Sequence, residues 1–505
     1  MERKYVQGFD SERYLSSQKE KIMKRLEKCG EKLYVEFGGK LMYDYHAARV
    51  LPGYDPNNKI KLLQSLSSDI DVILCINAND IESHKLRADF GIGYDSEVLK
   101  MIDDLNAISV NVTAVVITQF NKQKSAIAFK NKLEKIGIKT YCHPFIEGYP
   151  NDVDLVVSQK GYGSCEYIET TKRIVVVTGP GPGSGKLATC LSQLYHECLK
   201  GVKAGYAKFE TFPVWDLPLD HPVNVSYEAA TLDLNDKNLI DYFHEEAYGI
   251  KSVNYNRDLN SFPLLKKIFS KITKTECIYK SPTDMGVNCI SNGIIDEKII
   301  CDAAKQEIIR RHLRCVYEYY EGLTTKEVVK HSKSLMKKVN VTIEDRKVVT
   351  YARESRNKNR KNGYHGISCG AAIELKDGTI ITGSNSPLLH SSAAMLMNAG
   401  KKLSGIPQEI NLLAPSVLDS IAYTKENIYG TSSASLDVNE LLIALSVSSI
   451  MNPTINCVLE KFKLLNSCEM HLTHIPTDGD ISGLRKLGIH VTFDPYHSSN
   501  KLFDI

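Results

Sequence analysis

The chain has 505 residues, which is too long for a single hydrophobic core and predicts two to four domains. Hydrophobic residues make up 43% of it and charged residues 24%, as in ordinary globular proteins. The formal net charge of +3 argues against nucleic-acid and membrane-surface partners, and no apolar run reaches transmembrane length.

The N-terminal segment, MERKYVQGFDSERYLSSQKEK, is polar and contains no apolar signal-peptide region. The 13 cysteines of the chain form no Cys-x-x-Cys pair, so neither a disulfide framework nor a zinc ribbon is indicated. No His-Glu-x-x-His motif occurs either. We therefore expect a reduced, cytoplasmic protein without a metal site.

Residues 1–245 alternate short β-rich runs with helical patterns. The runs are apolar at most positions, which is typical of strands buried on both faces of a parallel sheet. They are KLYVEF (32–37), DIDVILCI (69–76), VTAVVITQF (112–120), IKTYCHPF (138–145), DVDLVVS (152–158) and RIVVVTG (173–179). The pattern predicts a doubly wound α/β domain over 1–245, Rossmann-like or P-loop-like.

The first predicted strand ends in a Gly-Gly turn, and acidic, basic and cationic side chains follow it. Such a turn is an anion nest of the kind that amino-acid kinases use. Glu36 stands where those enzymes carry a lysine, which weakens the analogy. Two interpretations remain: a tight turn with surface charges, or a second anion site made of Gly38, Gly39, Lys40, Asp44, His46 and Arg49.

A longer glycine-rich loop, GPGPGSGK (179–186), lies between a buried strand and a helical pattern, which is the layout of a phosphate-binding loop. The Walker A pattern G-x-x-x-x-G-K-[ST] has Pro180 at its first glycine and Leu187 at its last position. Leu187 lacks the hydroxyl that ligates Mg²⁺, so phosphate binding is better supported than metal-assisted phosphoryl transfer. The phosphate-binding residues would be Gly181, Gly183, Ser184, Gly185 and Lys186.

The next β-rich run, in VKAGYAKFETFPVW, brings further polar residues to the same sheet edge, where parallel sheets keep their ligands. This layout is similar to P-loop enzymes of the dethiobiotin-synthetase type, in which a lysine follows the next strand. The catalytic candidates are Lys186, Lys208, Glu210 and Asp216. The alternative is a Gly/Pro turn with a solvated Lys186.

Residues 246–347 have helical apolar spacing and predict a mainly helical module. Residues 348–505 predict a smaller α/β unit. Near its start lies a basic stretch that is either a solvated linker or a clamp for an anionic substrate. Its cations are Arg353, Arg356, Lys358, Arg360 and Lys361.

GAAIELKDGTIITG predicts a β-hairpin that turns at Asp377-Gly378. A hairpin followed by a helix is similar to the start of cytidine deaminases, and this resemblance implies a deaminase-like topology for 348–505. The zinc motif is missing, because the helix begins with HSSA and no Pro-Cys-x-x-Cys follows. His471 and His474 would face opposite sides of a strand and are expected to share no metal. Two interpretations remain for a further set of polar residues: they belong to a site, or they are helix caps and turn residues. The set is Ser384, Asn385, Ser386 and His390.

Five long segments carry a resemblance over nearly the whole chain. They are EFGGKLMYDYHAARVLPGYDPNNKIKLL, GPGPGSGKLATCLSQLYHE, SPTDMGVNCISNGIIDE, GSNSPLLHSSAAMLMNA and MHLTHIPTDGDISGLRKLGIHVT. Together they resemble a bacterial family filed as a conserved domain of unknown function, sometimes labelled an ATP-dependent peptidase. The resemblance implies a multidomain α/β protein that forms homo-oligomers, and it brings no catalytic residues. No peptidase motif supports the label.

Two functions are compatible with these residues. The first is an enzyme that binds a nucleotide or phosphorylated metabolite on 181–186 and transfers or hydrolyses a phosphoryl group, with a role for Mg²⁺ in doubt. The second is a non-catalytic regulatory or assembly protein that keeps a degenerate loop for binding. A third interpretation places the site between the first domain and the C-terminal unit, using Lys40, Arg49 and the cations of 353–361.

Overall fold

The computed structural model describes residues 7–87, 92–359, 366–430 and 433–498. They form two compact units, an N-terminal unit that ends at Ala304 and a C-terminal unit that begins at Lys305. The predicted domain boundaries at 245 and 347 differ from this division and stay a prediction. Among the described residues, no helix is both long enough and apolar enough to cross a membrane.

The described residues of the N-terminal unit form ten strands. They are β1 Lys32–Phe37, β2 Ile70–Asn77, β3 Leu86–Arg87, β4 Ile92–Gly93, β5 Val112–Phe120, β6 Thr140–Pro144, β7 Ile174–Thr178, β8 Ala204–Phe209, β9 Asn238–Ile240 and β10 Val253–Tyr255. Six of them form one sheet in the order β6-β5-β2-β7-β1-β8, and every neighbouring pair is parallel. The predicted parallel sheet is therefore confirmed.

Helices cover this sheet. They are α1 Ser11–Cys29, α2 Tyr45–Val50, α3 Asn58–Ser65, α4 Ala78–Glu82, α5 Tyr94–Ala107, α6 Lys124–Lys135, α7 Val153–Val156, α8 Lys186–Leu199, α9 Pro222–Ala230, α10 Tyr242–Tyr248, α11 Asn256–Thr273, α12 Pro282–Met285 and α13 Glu297–Tyr320, which runs into the C-terminal unit. Alternate strand residues enter two separate cores: Val176 packs on one face and Val175 and Val177 on the other. Each such buried side chain stabilises the fold by about 1.5–3 kcal/mol.

One predicted strand, DVDLVVS, is wrong: its central residues form α7. The Asp152 carboxylate accepts a hydrogen bond from the Leu155 backbone N–H at 3.0 Å and so caps a helical turn. A short apolar run fits a strand and a buried helical turn equally well, and here the cap decides.

The strand order brings four loops together. β1 lies between β7 and β8, and β7 also pairs with β2. Because all these strands are parallel, the segments that follow β2, β7, β1 and β8 leave the sheet at one edge. The glycine-rich loop, which follows β7, therefore lies beside the ends of both β2 and β1.

Where the structure describes it, the C-terminal unit continues with seven helices and four strands. They are α14 Lys326–Lys338, α15 Lys347–Lys358, β11 Gly370–Glu374, β12 Ile380–Ser384, α16 Ser391–Ser404, α17 Pro415–Asn427, α18 Val438–Ser448, α19 Thr454–Lys461, β13 Glu469–Leu472, α20 Asp478–Lys486 and β14 His490–Phe493. The sheet order is β12-β11-β13-β14, in which β11 is antiparallel to both neighbours and β13 is parallel to β14. The predicted hairpin is present as β11 and β12, with Gly378 at φ +83° in its turn.

The basic stretch is helical where the structure describes it, which corrects its interpretation as a linker. Arg353 lies in α15 and binds Asp494, with an Nη2–Oδ1 distance of 2.7 Å. Arg356 and Lys358 lie in the last turn of the same helix. Arg360 and Lys361 lie outside the described residues.

Candidate functional site

The glycine-rich loop adopts a conformation that depends on glycine. Gly183 and Gly185 have φ angles of +76° and +88°, in the left-handed region that side chains avoid. A Cβ on Gly185 would lie 2.6 Å from Cγ2 of Thr118, so the loop packs directly against β5 at this point. A Cβ on Gly183 would meet nothing within 4 Å, so the space around Gly183 is open.

Side chains at the ends of β2 and β5 fix two peptide groups of this loop. Nδ2 of Asn77 donates to the Gly183 carbonyl at 3.2 Å, and Oγ1 of Thr118 donates to the Ser184 carbonyl at 2.9 Å. In a trans peptide the C=O and the N–H point in opposite directions. The N–H groups of Ser184 and Gly185 therefore point away from Asn77 and Thr118.

Several hydrogen-bond donors of the loop have no acceptor among the residues that the structure describes. Within the described chain, the backbone N–H groups of Gly183, Gly185 and Lys186 make no hydrogen bond to a protein atom. Lys186 is the first residue of α8, a helix of 14 residues whose dipole adds positive potential at this end. The hydroxyl of Thr178, the last residue of β7, is buried and likewise has no hydrogen-bond partner in the described part of the chain. This arrangement of donors suits an anion.

Lys186 folds back onto its own loop. Its Nζ donates to the Gly181 carbonyl at 3.1 Å and to Oγ of Ser184 at 3.3 Å. Neither of the two positions at which a hydroxyl was sought further along α8 offers a free one, because Leu187 has no hydroxyl and that of Thr189 is occupied. Leu187 packs against the core, and the hydroxyl of Thr189 is buried, where it accepts from Sγ of Cys75 at 3.4 Å.

Glu36 on β1 links the loop to β8. Its carboxyl accepts from the hydroxyl of Tyr206 at 2.7 Å. Burial raises the pKa of Glu36, while the charges of Lys186 and Lys208 act in the opposite direction. Glu36 is thus a buried acid within electrostatic range of both predicted lysines.

Lys208 and Glu210 belong to an ion cluster that also contains Tyr255 of β10 and Asp258 of α11. Nζ of Lys208 lies 2.5 Å from Oδ2 of Asp258 and 3.3 Å from Oε2 of Glu210. The hydroxyl of Tyr255 donates to Glu210 and, at 2.7 Å, to the Phe212 carbonyl. Burial lowers the pKa of Lys208, but the two carboxylates raise it well above its ordinary value, so this amine stays a cation. Beside the cluster is a cavity of about 40 Å³, which has room for about one water molecule.

The Gly-Gly turn after β1 lies against the same cluster. A Cβ on Gly38 would lie 2.4 Å from Cγ of Glu210. The Gly38 N–H already donates to the Phe209 carbonyl at 2.8 Å, and its carbonyl accepts from the buried Nζ of Lys59 at 3.1 Å. Lys59 also lies 3.3 Å from Oδ2 of Asp44. This turn therefore offers fewer vacant donors than the loop after β7, and the second anion site stays a prediction.

The remaining candidates lie around these two loops. Lys40 and Arg49 are half-buried, Gly39 has a φ of +66°, and the ring of His46 packs against Phe212 at 5.4 Å between ring centroids. Asp216 is exposed and accepts from Oγ of Ser291 at 2.5 Å. The structure thus unites Lys186, Lys208 and Glu210 around Glu36, whereas Asp216 is bound to a different segment.

One group of metal-ligand side chains occurs in the described part of the chain: His221, Glu297 and Cys301. Nε2 of His221 contacts Glu297 and lies 3.5 Å from Sγ of Cys301. However, Nδ1 of His221 accepts from the backbone N–H of Val223 at 3.2 Å. The neutral ring then carries its proton on Nε2, the atom a metal would need, so this donor set does not fit a metal ion.

Comparisons with known proteins agree over the whole length of the chain. The family model described as domain of unknown function DUF1846, N-terminal, matches residues 7–340, and the model for the C-terminal domain matches residues 344–503. A UPF0371 protein from Clostridium tetani (strain Massachusetts / E88) is 51% identical over 497 residues, which cover 98% of this chain and 99% of the relative. A UPF0371 protein from Clostridium botulinum (strain Kyoto / Type A2) is 50% identical over the same length, with the same coverage.

Proposed function

The chain belongs to the DUF1846 family, and on that premise we propose that its N-terminal unit binds the phosphate group of a nucleotide or phosphorylated metabolite on the loop 179–186. One observation carries the proposal. The N–H groups of Gly183, Gly185 and Lys186 have no protein acceptor among the described residues, while side chains of β2 and β5 hold the loop carbonyls turned away. A phosphate oxygen would satisfy these donors without rearrangement of the loop.

Lys186 supplies the charge for this site. On binding, its ammonium group would exchange the Gly181 carbonyl for a phosphate oxygen, which is a stronger, charge-assisted partner. Leu187 has no hydroxyl and the hydroxyl of Thr189 is buried, so α8 presents no hydroxyl for Mg²⁺ next to Lys186. This favours binding without phosphoryl transfer, that is, a regulatory or assembly role, over the enzymatic alternative.

A thermal-shift screen tests the proposal. Nucleotides and phosphorylated metabolites are added to the full chain with and without Mg²⁺, and a ligand of the native state must raise the melting temperature by mass action. A shift that requires the phosphate group supports the site. A shift that also requires Mg²⁺, together with turnover of the ligand, would support the enzyme instead. No shift with any compound at millimolar concentration would contradict phosphate binding.

Three further properties are proposed on separate observations. The sheet order β12-β11-β13-β14, with a hairpin followed by α16, supports a cytidine-deaminase-like topology without its zinc motif. All 13 cysteines are free, which supports a reduced, cytoplasmic setting.

Homo-oligomers are supported by α18 and the turn after it. Residues 441–451 contain no charge, and their exposed apolar stripe consists of Ile443, Val447, Ile450 and Met451.

A second copy is the occupant that we propose for this stripe. Its four side chains are 65%, 56%, 80% and 88% exposed, which is unusual for apolar residues on a folded surface. A partner must be equally apolar, because the stripe offers no charge to pair with. The same stripe on another copy meets that condition in a two-fold symmetric contact.

A further inference from the structure

A buried aspartate organises a polar cluster in the C-terminal unit. Asp480, in the first turn of α20, is fully buried. Its Oδ2 accepts from Nδ1 of His390 at 2.8 Å and from Oγ1 of Thr477 at 3.0 Å, and its Oδ1 accepts from Oγ of Ser392 at 2.6 Å and the N–H of Val438 at 3.0 Å. Burial raises the pKa of Asp480, but the hydrogen bonds from side chains lower it below its ordinary value, so Asp480 stays ionised.

His390 is the one member of this pair that reaches solvent. Its side chain is 27% exposed, whereas that of Asp480 is not exposed at all. Because Nδ1 gives its proton to Asp480, proton exchange with a bound molecule falls to Nε2. Within the described residues, nothing hydrogen-bonds to Nε2. A buried carboxylate that orients an accessible imidazole is the arrangement that general acid–base catalysis requires.

Donors without partners surround His390. His390 precedes α16, and no side chain caps this helix of 14 residues. In the part of the chain that the structure describes, the N–H groups of Ser391 and Ala393 donate to no protein atom, and the buried hydroxyl of Ser391 has no partner. His474, 7% exposed, also has a buried Nδ1 to which no described residue hydrogen-bonds, and it interacts electrostatically with Asp480 and His390. Such donors could bind a carbonyl oxygen on which negative charge develops.

We propose that His390 and Asp480 form a second site, in which Nε2 of His390 transfers protons during hydrolysis of a small ester or amide bound at the N-terminal end of α16. Water is the nucleophile, since no hydroxyl or thiol among the described residues hydrogen-bonds to Nε2. The water oxygen bonds to the carbonyl carbon as Nε2 takes a water proton. Nε2 then returns this proton to the leaving oxygen or nitrogen as its bond to carbon breaks, which yields a carboxylic acid and an alcohol or amine.

The roles of the two residues differ. His390 is the catalytic residue, and Asp480 is a positioning residue that fixes the tautomer of the ring and stabilises its protonated form. The four charged or titratable groups that act on His390 are Asp480 and Asp437, which favour its protonated form, and Lys425 and His474, which oppose it. Burial lowers the pKa of His390, but Asp480 raises it above its ordinary value.

Hydrolysis of p-nitrophenyl acetate by the full chain tests the proposal. We expect turnover in excess of buffer that increases with pH as His390 loses its proton. His390→Gln should reduce this excess about 100-fold, because a positioned acid–base group contributes that much. Glutamine can still donate to Asp480, which preserves the fold. The control is His497→Gln, which alters an exposed histidine of the same unit and should leave the rate unchanged.

A titration of the wild-type chain tests the proposal even if a variant folds poorly. The ring of His390 is titrated by NMR in the wild-type chain, where we expect a pKa above its ordinary value of about 6.5. Asp480→Asn should lower the midpoint of both the titration and the rate profile. An unperturbed titration, no excess turnover, or an excess that survives His390→Gln would each overturn the proposal and leave the pair as a helix-capping contact.

Discussion

Replacement of Lys186 by alanine tests the phosphate site most directly. Its Nζ lies 3.1 Å from the Gly181 carbonyl and would move only within the loop to reach a bound phosphate. A hydrogen bond from a charged group contributes about 1.5–3 kcal/mol. Lys186→Ala should therefore weaken binding of a nucleotide or of inorganic phosphate roughly 10- to 150-fold.

The matched control is Lys132→Ala. Lys132 is exposed in the last turn of α6, and its replacement removes the same charge from the same unit. An exposed charge more than about 10 Å from the ligand is largely screened at physiological ionic strength, so its removal should change the dissociation constant less than about twofold. The difference between the variants separates direct contact from the overall charge of the protein.

Isothermal titration calorimetry of wild type and both variants provides the measurement, after the thermal-shift screen has named a ligand. Lys186→Ala should fold, because among the described residues the side chain of Lys186 makes only two hydrogen bonds, both within its loop. Equal dissociation constants for Lys186→Ala and wild type would refute the assignment of phosphate to this loop. Equal losses in the two lysine variants would reduce the role of Lys186 to long-range attraction.

Three other predictions concern stability and assembly. Gly185→Ala should destabilise the N-terminal unit by about 1–3 kcal/mol more than Gly201→Ala in urea unfolding, because both have positive φ but only the former meets a side chain of β5. Burial lowers the pKa of His143 to about 4. The neutral ring therefore contributes up to about 3 kcal/mol to the free energy of unfolding above pH ~6.5, and this contribution is lost as the pH falls towards 4. His143→Gln should flatten that part of the pH–stability curve, and a curve parallel to wild type would contradict this. Val447→Lys should reduce the oligomer in sedimentation experiments, while Leu199→Lys, at an equally exposed apolar residue of the other unit, should not.

The sequence was sufficient to predict those elements whose structure depends on one segment alone. The apolar runs around Val176 predicted buried parallel strands, and the glycine pattern predicted a loop between a strand and a helix, in which Gly183 and Gly185 have positive φ. Partners from distant parts of the chain were missed. Asn77 and Thr118 carry no motif, and only their positions at the ends of two predicted strands hinted at a role.

Pairs of charged residues that are distant in the sequence were also not predicted. Asp258 binds Lys208 from 50 residues away, and Asp480 binds His390 from 90 residues away. No periodicity within either segment encodes such a contact, because it depends on how helices and strands from different regions pack. His471 and His474 were predicted to face opposite sides of one strand, but β13 ends at Leu472 and His474 lies beyond it. That the two histidines share no metal stays a prediction.

The central position of β1 has a consequence during protein synthesis. β1 ends at Phe37, yet its two neighbours in the sheet end at Thr178 and Phe209, so its second edge is completed roughly 170 residues later. At about 5–20 residues per second, the ribosome needs roughly 10–30 s for that length. During this interval the nascent chain carries an apolar strand with at least one unpaired edge, a target for chaperones and for mispairing with other chains.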